Sequence, residues 1–315
     1  MLRMLTLAGS LAFGAVLALP GQHSGRLVKV YGDLATADRV AIVVPGADTT
    51  VATFEASTKR PGGAARALLA EAAKVGHGER LAVIAWLGYD APPTWSLGAI
   101  TDTAAVEGAK ALRRTVMELH ARTSAPIALL CHSYGSVVCA KAGADLPVAD
   151  VALFGSPGID ASSSHAPSGR VPSVQATSDQ AVPDHPSSGH ATSSRAPSDR
   201  APSDWMLSDG PQSDHPWSDV SDHPPSGHRA SGGVPSPTRV WAGVGGSDWI
   251  RFVPKVKLGP LGFGADALSP GYGARVFEVG PGGHSDYFAP GTPSLRNLTL
   301  IALGRPGDVM AAAPA

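Results

Sequence analysis

The sequence predicts an α/β architecture, a mostly parallel central sheet with helices on both faces. Three observations carry this. Short runs that are apolar throughout, at residues 40–44 (VAIVV), 81–87 (LAVIAWL), 127–130 (IALL) and 151–154 (VALF), read as strands covered on both faces. They alternate with amphipathic helical segments. Several runs end in glycine-containing loops that carry titratable or nucleophilic side chains, as expected outside the carboxyl ends of parallel strands.

In chain order, residues 1–19 place one positive charge, Arg3, before an uncharged apolar run. That length suits a secretory signal and is short for a membrane span. Pro20 blurs the cleavage site after Ala18, so an uncleaved anchor is the alternative. Residues 1–25 are expected to be signal or anchor, and the protein to be exported, secreted or membrane-tethered on the extracytoplasmic side. Residues 27–31 form a short strand candidate. The 40–44 run ends at Pro45-Gly46-Ala47-Asp48. Residues 61–75 read as a helix, with Pro61 at its start, Gly76 as a stop and Ala65, Leu68, Leu69 and Ala72 on one stripe. After the 81–87 strand, residues 102–122 form a second helix with Ala109, Leu112, Val116 and Leu119 on one face.

The strand at 127–130 stops abruptly at Cys131-His132-Ser133-Tyr134-Gly135, and a small-residue helical stretch follows from Ser136. Strand, sharp turn with serine, helix is the layout of a nucleophile elbow, here as C-x-S-x-G where G-x-S-x-G is usual. Gly135 suits a turn that folds tightly against its own strand. The two cysteines of the chain, Cys131 and Cys139, flank this serine. One stands at a strand end and the other inside the next helix, so they are expected to point apart as buried free thiols.

From 161 to 237 the composition changes to Ser, Pro, Asp, His and Arg, with recurring units such as APSD and SDHP. Such a segment buries too little apolar surface to offset its chain entropy, so it reads as a disordered insertion within one domain. Its histidines are not expected to form a metal site. Excising 161–236 and rejoining the ends is expected to leave a folded domain. The domain then comprises 26–160 and 238–305, with 306–315 as a flexible tail. Strand patterns resume at 238–244 and 274–279, followed by Gly245-Gly246-Ser247-Asp248 and Gly282-Gly283-His284, and a closing helix spans 294–303.

The 315 residues carry 25 Lys plus Arg against 26 Asp plus Glu, so no strong field argues for nucleic acid or an anionic membrane surface as partner. The chemistry lies in the loops. A serine hydroxyl needs a base to accept its proton, and imidazole suits that task. The base needs a carboxylate to fix its tautomer. Ser133, Asp248 and His284 stand in the order Ser, acid, His that α/β-hydrolases use. The oxyanion donors are expected to be the N–H of Tyr134 and an N–H of the Pro45-Gly46 loop, from Ala47 or else Asp48. Among rivals, His132 is expected to point to the other side of the turn and Asp286 to cap its own loop. Asp90 could line the site or make a turn, Asp266 is the second choice of acid, His120 faces solvent and Asp48 shapes its loop.

With these residues in place the sequence resembles a bacterial family of α/β-hydrolases of unestablished substrate. The resemblance rests on VVPGADTT (43–50), RPGGAARALLAEA (60–72), AWLGYDAPP (85–93), HSYGSVVCAKA (132–142), GSPG (155–158), RVWAG (239–243), SDWIRFVP (247–254), GARVF (273–277) and GHSDYFAPGTPSLRNL (283–298). It implies the α/β-hydrolase fold with Ser133 as nucleophile, Asp248 as acid and His284 as base. Cys131 departs from the family's usual glycine, and the Ser/Pro tract looks like an insertion where many α/β-hydrolases carry a lid. The expected activity is cleavage of an ester, thioester or related acyl substrate through an acyl-enzyme, without metal or organic cofactor. The alternative is an exported, non-catalytic binding protein that retains the fold.

Overall fold

Residues 25–160, 237–259 and 261–313 are described by the computed structural model, and they build the sheet that the apolar runs predict. The segments expected as leader and as disordered insertion fall almost wholly outside the described residues. Seven strands, β1 (Leu27–Tyr31), β2 (Arg39–Val44), β3 (Leu81–Leu87), β4 (Ile127–His132), β5 (Asp150–Phe154), β6 (Arg239–Gly243) and β9 (Arg275–Val276), lie in the order β1-β3-β2-β4-β5-β6-β9. All neighbours are parallel except β1 and β3, so the sheet is mixed with one antiparallel edge. β7 (Lys257–Leu258) and β8 (Leu261–Gly262) form a small separate hairpin.

Helices cover both faces because the central strands are apolar on both. α1 (Pro61–Val75) and α4 (Pro293–Ala302) share a core with Ala41, Val43, Val83, Ala85 and Leu130, the alternate positions of β2, β3 and β4. α2 (Thr103–Arg122) packs on α3 (Tyr134–Ala142), and α3 lies on β4. α2 buries the stripe its periodicity predicts: Ala109, Leu112, Val116 and Leu119. α1 buries Ala65, Leu68 and Ala72, with Leu69 partly covered. Thr292 caps α4 by accepting from the N–H of Leu295 at 3.2 Å. Among the described residues no helix is long and apolar enough to cross a membrane.

Two local departures have physical causes. The strand expected at 274–279 is only two residues long, because its continuation pairs with the chain end instead. Phe277 bridges to Ala311, the N–H of Glu278 donates to Met310 O at 2.9 Å, and that of Ala312 donates to Val276 O at 3.1 Å. Met310 N–H also donates to Asn297 Oδ1 at 3.0 Å, so hydrogen bonds reach into the stretch expected as a tail. The β7–β8 hairpin has no counterpart in the sequence reading, since two-residue strands carry no periodicity to detect.

β5 and β6 pair directly, from Asp150 against Arg239 to Phe154 against Gly243. The halves of the domain on either side of the 161–236 tract therefore meet strand to strand. Because the pair is parallel, the chain must return the length of the strand between them. Direct rejoining of 160 to 237 would leave only 155–160 and 237–238 between the strands, short of the roughly dozen residues such a crossover takes, so the excision is expected to need a short flexible linker at the junction. The register is clamped by Asp150, whose side chain is 1% exposed. It accepts from Arg239 Nε at 2.8 Å and Nη2 at 2.6 Å, from Trp241 Nε1 at 3.0 Å and from Arg39 Nη2 at 3.3 Å. One buried carboxylate thus joins β2, β5 and β6. Asp150→Ala leaves two partly buried guanidinium groups uncompensated and is expected to lower stability by about 3–5 kcal/mol in denaturant titration. A loss under about 1 kcal/mol would show that the clamp is not needed.

Candidate active site

The site starts from a strained backbone. Ser133 adopts φ 52° and ψ −125°, a region that non-glycine residues rarely occupy. It follows β4 and precedes α3, so the turn projects its side chain above the carboxyl end of the sheet. Two glycines allow this. A Cβ on Gly135 would lie 2.5 Å from Val44 O and 2.6 Å from Pro45 O, and one on Gly46 would lie 2.6 Å from Ser133 Cβ. The Pro45 loop and the elbow can touch only because both side chains are missing. Tyr89 fixes that loop by donating its hydroxyl to Pro45 O at 2.8 Å.

The loops after β6 and β9 are brought together in the same way. Gly246 N–H donates to Gly280 O at 2.9 Å and Ser247 N–H to Gly282 O at 3.3 Å, while a Cβ on Gly245 would sit 2.1 Å from Gly282 O. Asp248 and His284 meet as a result. His284 Nδ1 lies 2.9 Å from Asp248 Oδ1 and 3.0 Å from Oδ2, and its Nε2 lies 2.8 Å from Ser133 Oγ. A carboxylate can only accept, so Nδ1 carries the hydrogen and Nε2 offers its lone pair to the serine hydroxyl. Burial by itself would raise the Asp248 pKa. Hydrogen bonds from His284 and Tyr287, with smaller help from the Ile250 N–H, outweigh it and hold the value below the ordinary carboxylate range. The three residues singled out from the sequence are therefore in one hydrogen-bonded chain.

Other expectations fare differently. Tyr134 N–H belongs to the first turn of α3, where N–H groups lack intrahelical acceptors, and Ala47 lines the same cavity as Ser133 and His284. Asp48 does not supply a free N–H, because it donates to Pro92 O at 3.1 Å. Its carboxylate accepts from the N–H of Thr94 at 2.9 Å and from the Thr94 hydroxyl, which holds the loop. Asp286 accepts from Gly283 N–H at 3.0 Å, the expected loop cap, and also pairs with Lys59. Asp266 accepts from Leu268 N–H at 2.9 Å within its own turn, and Asp90 pairs with Arg26 at 3.2 Å on the surface. His120 is exposed. Among the described residues no group of three His, Cys, Asp or Glu side chains is arranged to hold a metal ion.

The cysteine expectation is corrected: Cys131 and Cys139 form a disulfide, with S–S 2.10 Å and Cα–Cα 6.4 Å. The elbow reverses the chain so that α3 lies back on β4. A residue about one and a half turns into the helix returns over the strand end it left. The spacing looked divergent only because the tightness of that reversal was not allowed for.

One residue of the site was missed and one was misoriented. Tyr287, buried, donates its hydroxyl to Asp248 Oδ2 and accepts from Gly245 N–H at 3.2 Å. Its place three residues after His284 was the available signal. His132 does not point away from the site. Its ring centroid lies 5.0 Å from that of His284, and its Nε2 lies 2.7 Å from His284 O. A carbonyl only accepts, so His132 is the Nε2–H tautomer and holds the backbone of His284. Burial, and then the neighbouring His284, push its pKa down to about 3. A folded value below the ordinary 6.5 means that this contribution to stability is full above pH 6.5 and is lost as the pH falls toward 3. His132→Gln keeps a donor but cannot titrate. The wild-type melting temperature is expected to fall from pH 6.5 to 5 more steeply than that of the variant, and parallel curves would refute the assignment.

Known proteins resemble this chain in part of its length or at low identity. The family model described as alpha/beta hydrolase matches residues 20–182, a span that includes Ser133 and ends before Asp248. Uncharacterized proteins of Mycobacterium bovis and Mycobacterium tuberculosis are 36% identical over 138 residues, 41% of this chain and 51% of theirs. The chain thus spans about half the length of the curated relatives it matches. Among solved structures, a Xanthomonas campestris serine hydrolase described as having no lid is 13% identical, with coverage of 97% of this chain and 99% of that one and a TM-score of 0.41. An alpha/beta hydrolase from a deep-sea metagenome library is 14% identical, with coverage of 47% and 58% and a TM-score of 0.30. By the match over residues 20–182, the chain belongs to the alpha/beta hydrolase family.

Proposed function

We propose that this protein is a serine hydrolase that cleaves an ester, thioester or related acyl substrate through an acyl-enzyme on Ser133. The observation that carries the reading is the chain of contacts from Ser133 Oγ through the His284 ring to the Asp248 carboxylate, at 2.8 Å and 2.9 Å. His284 Nε2 takes the hydroxyl proton as Oγ attacks the acyl carbon. Asp248 holds the ring in the tautomer this requires and stabilises the imidazolium that forms. The negative oxygen of the tetrahedral intermediate is met by the N–H groups of Tyr134 and Ala47. The imidazolium then gives its proton to the leaving oxygen or sulfur. In the second half His284 draws a proton from water, or from an acceptor alcohol, which attacks the acyl-enzyme and frees Ser133.

Tyr287 and His132 act at one remove. The first fixes the orientation of Asp248 and favours its ionised form, and the second fixes the backbone of His284. The buried Cys131–Cys139 disulfide favours an oxidising, extracytoplasmic location for the mature protein.

Asp248→Asn replaces one accepting oxygen by an NH2 donor and removes the charge, so the His284 tautomer is no longer enforced. Turnover of p-nitrophenyl esters is expected to fall by about three to four orders of magnitude with the circular dichroism spectrum retained. Activity within tenfold of wild type would take the acid role from Asp248. A panel of such esters with graded acyl length would define the acyl preference.

A further inference from the structure

The cavity above Ser133, about 330 Å³, is within the range of small-molecule sites. Its lining mixes polar side chains with small apolar ones. Beside Ser133 and His284 it presents hydroxyl side chains such as Thr49 and Thr94, one acid, Asp48, and two cations, Lys59 and Arg60, with Ala47 and Ala56 as small apolar members. A site made for a long hydrocarbon chain would be walled by large aliphatic or aromatic groups.

The two cations differ. Lys59 is 56% exposed and already faces Asp286 at 3.3 Å. Arg60 is partly buried at the start of α1, and one guanidinium nitrogen donates to Asp48 O and, at 3.4 Å, to Thr49 Oγ1. Both acceptors are neutral. Among the described residues Arg60 forms no ion pair. The Asp48 carboxylate, the nearest acid in sequence, is occupied by Thr94. A half-buried guanidinium with a neutral partner loses hydration without a compensating charge. Its remaining N–H donors form a planar fork suited to two oxygens of one anion.

Resting on the hydrolase reading above, we infer that the substrate is an anionic ester, with a carboxylate or phosphate near the scissile acyl group, and that Arg60 is the residue that recognises the anion. The hydroxyl-bearing wall of Thr49 and Thr94 then meets polar atoms between the anion and the acyl carbon. Either side of the ester could carry the charge, and the two are separable by experiment.

Matched pairs test this on the full-length protein. The acyl arm compares mono-p-nitrophenyl adipate with p-nitrophenyl hexanoate. The alcohol arm compares 4-acetoxybenzoate with its neutral methyl ester. In one arm kcat/KM is expected to favour the anion by about tenfold or more, the scale of a charge-assisted pair. Arg60→Gln should abolish the preference and Arg60→Lys, which keeps the charge but not the fork, retain only part of it. The readout is a ratio within each variant, so a general loosening of the loop at Asp48 does not imitate the effect. Equal or reversed preference in both arms, or a ratio unchanged in Arg60→Gln, overturns the inference and leaves the hydrolase reading intact. Should turnover be too slow to follow, the same pairs are compared as protectants against fluorophosphonate labelling, with the same ratios deciding. Absence of both turnover and labelling would instead defeat the hydrolase reading, and this inference with it.

Discussion

The structure depends on the close approach of two turns, the one at Pro45-Gly46 and the one at Ser133-Tyr134-Gly135. Ser133 is held at positive φ, which costs on the order of 1–3 kcal/mol and persists only where the surroundings over-determine it. Gly46 and Gly135 supply the space, Tyr89 anchors the first turn, and the Cys131–Cys139 bridge ties the strand before the serine to the helix after it. From that junction the serine hydroxyl stands clear of the sheet and lines the same cavity as Ala47. Without it Ser133 Oγ would not reach His284 Nε2.

A second junction matches the first. The loops after β6 and β9 are fastened by backbone hydrogen bonds between Gly246 and Gly280 and between Ser247 and Gly282. Asp248 is therefore fixed by its fold neighbours and not only by His284. Its oxygens are saturated by His284, Tyr287 and the Ile250 N–H, so a buried charge is fully compensated. Asp150 makes the same argument at the opposite end of β5, where a buried carboxylate is surrounded by donors and serves the sheet. Chemistry and support thus separate along one strand direction.

Much of this was legible in the sequence because strong local signals coincide. Unbroken apolar runs gave the central strands, the 3.6-residue stripe of Ala109, Leu112, Val116 and Leu119 gave α2, and the order Ser133, Asp248, His284 gave the contacts found. What escaped depended on distances that spacing does not encode. The disulfide needed the tightness of the elbow, and the orientation of His132 needed the position of a loop about 150 residues away in sequence. Asp48 was lost as a donor because Pro92, on another loop, takes its N–H. Tyr287 was visible as a residue but its partner was not, since a buried tyrosine is usually only core.

A serine hydrolase requires Ser133 to be a nucleophile. The direct measurement is intact-mass and peptide-level mass spectrometry of the folded protein after exposure to a fluorophosphonate. One covalent adduct per chain, mapped to Ser133 and absent from Ser133→Ala, is the predicted result. No adduct on folded protein, or an adduct that persists in Ser133→Ala, would contradict it.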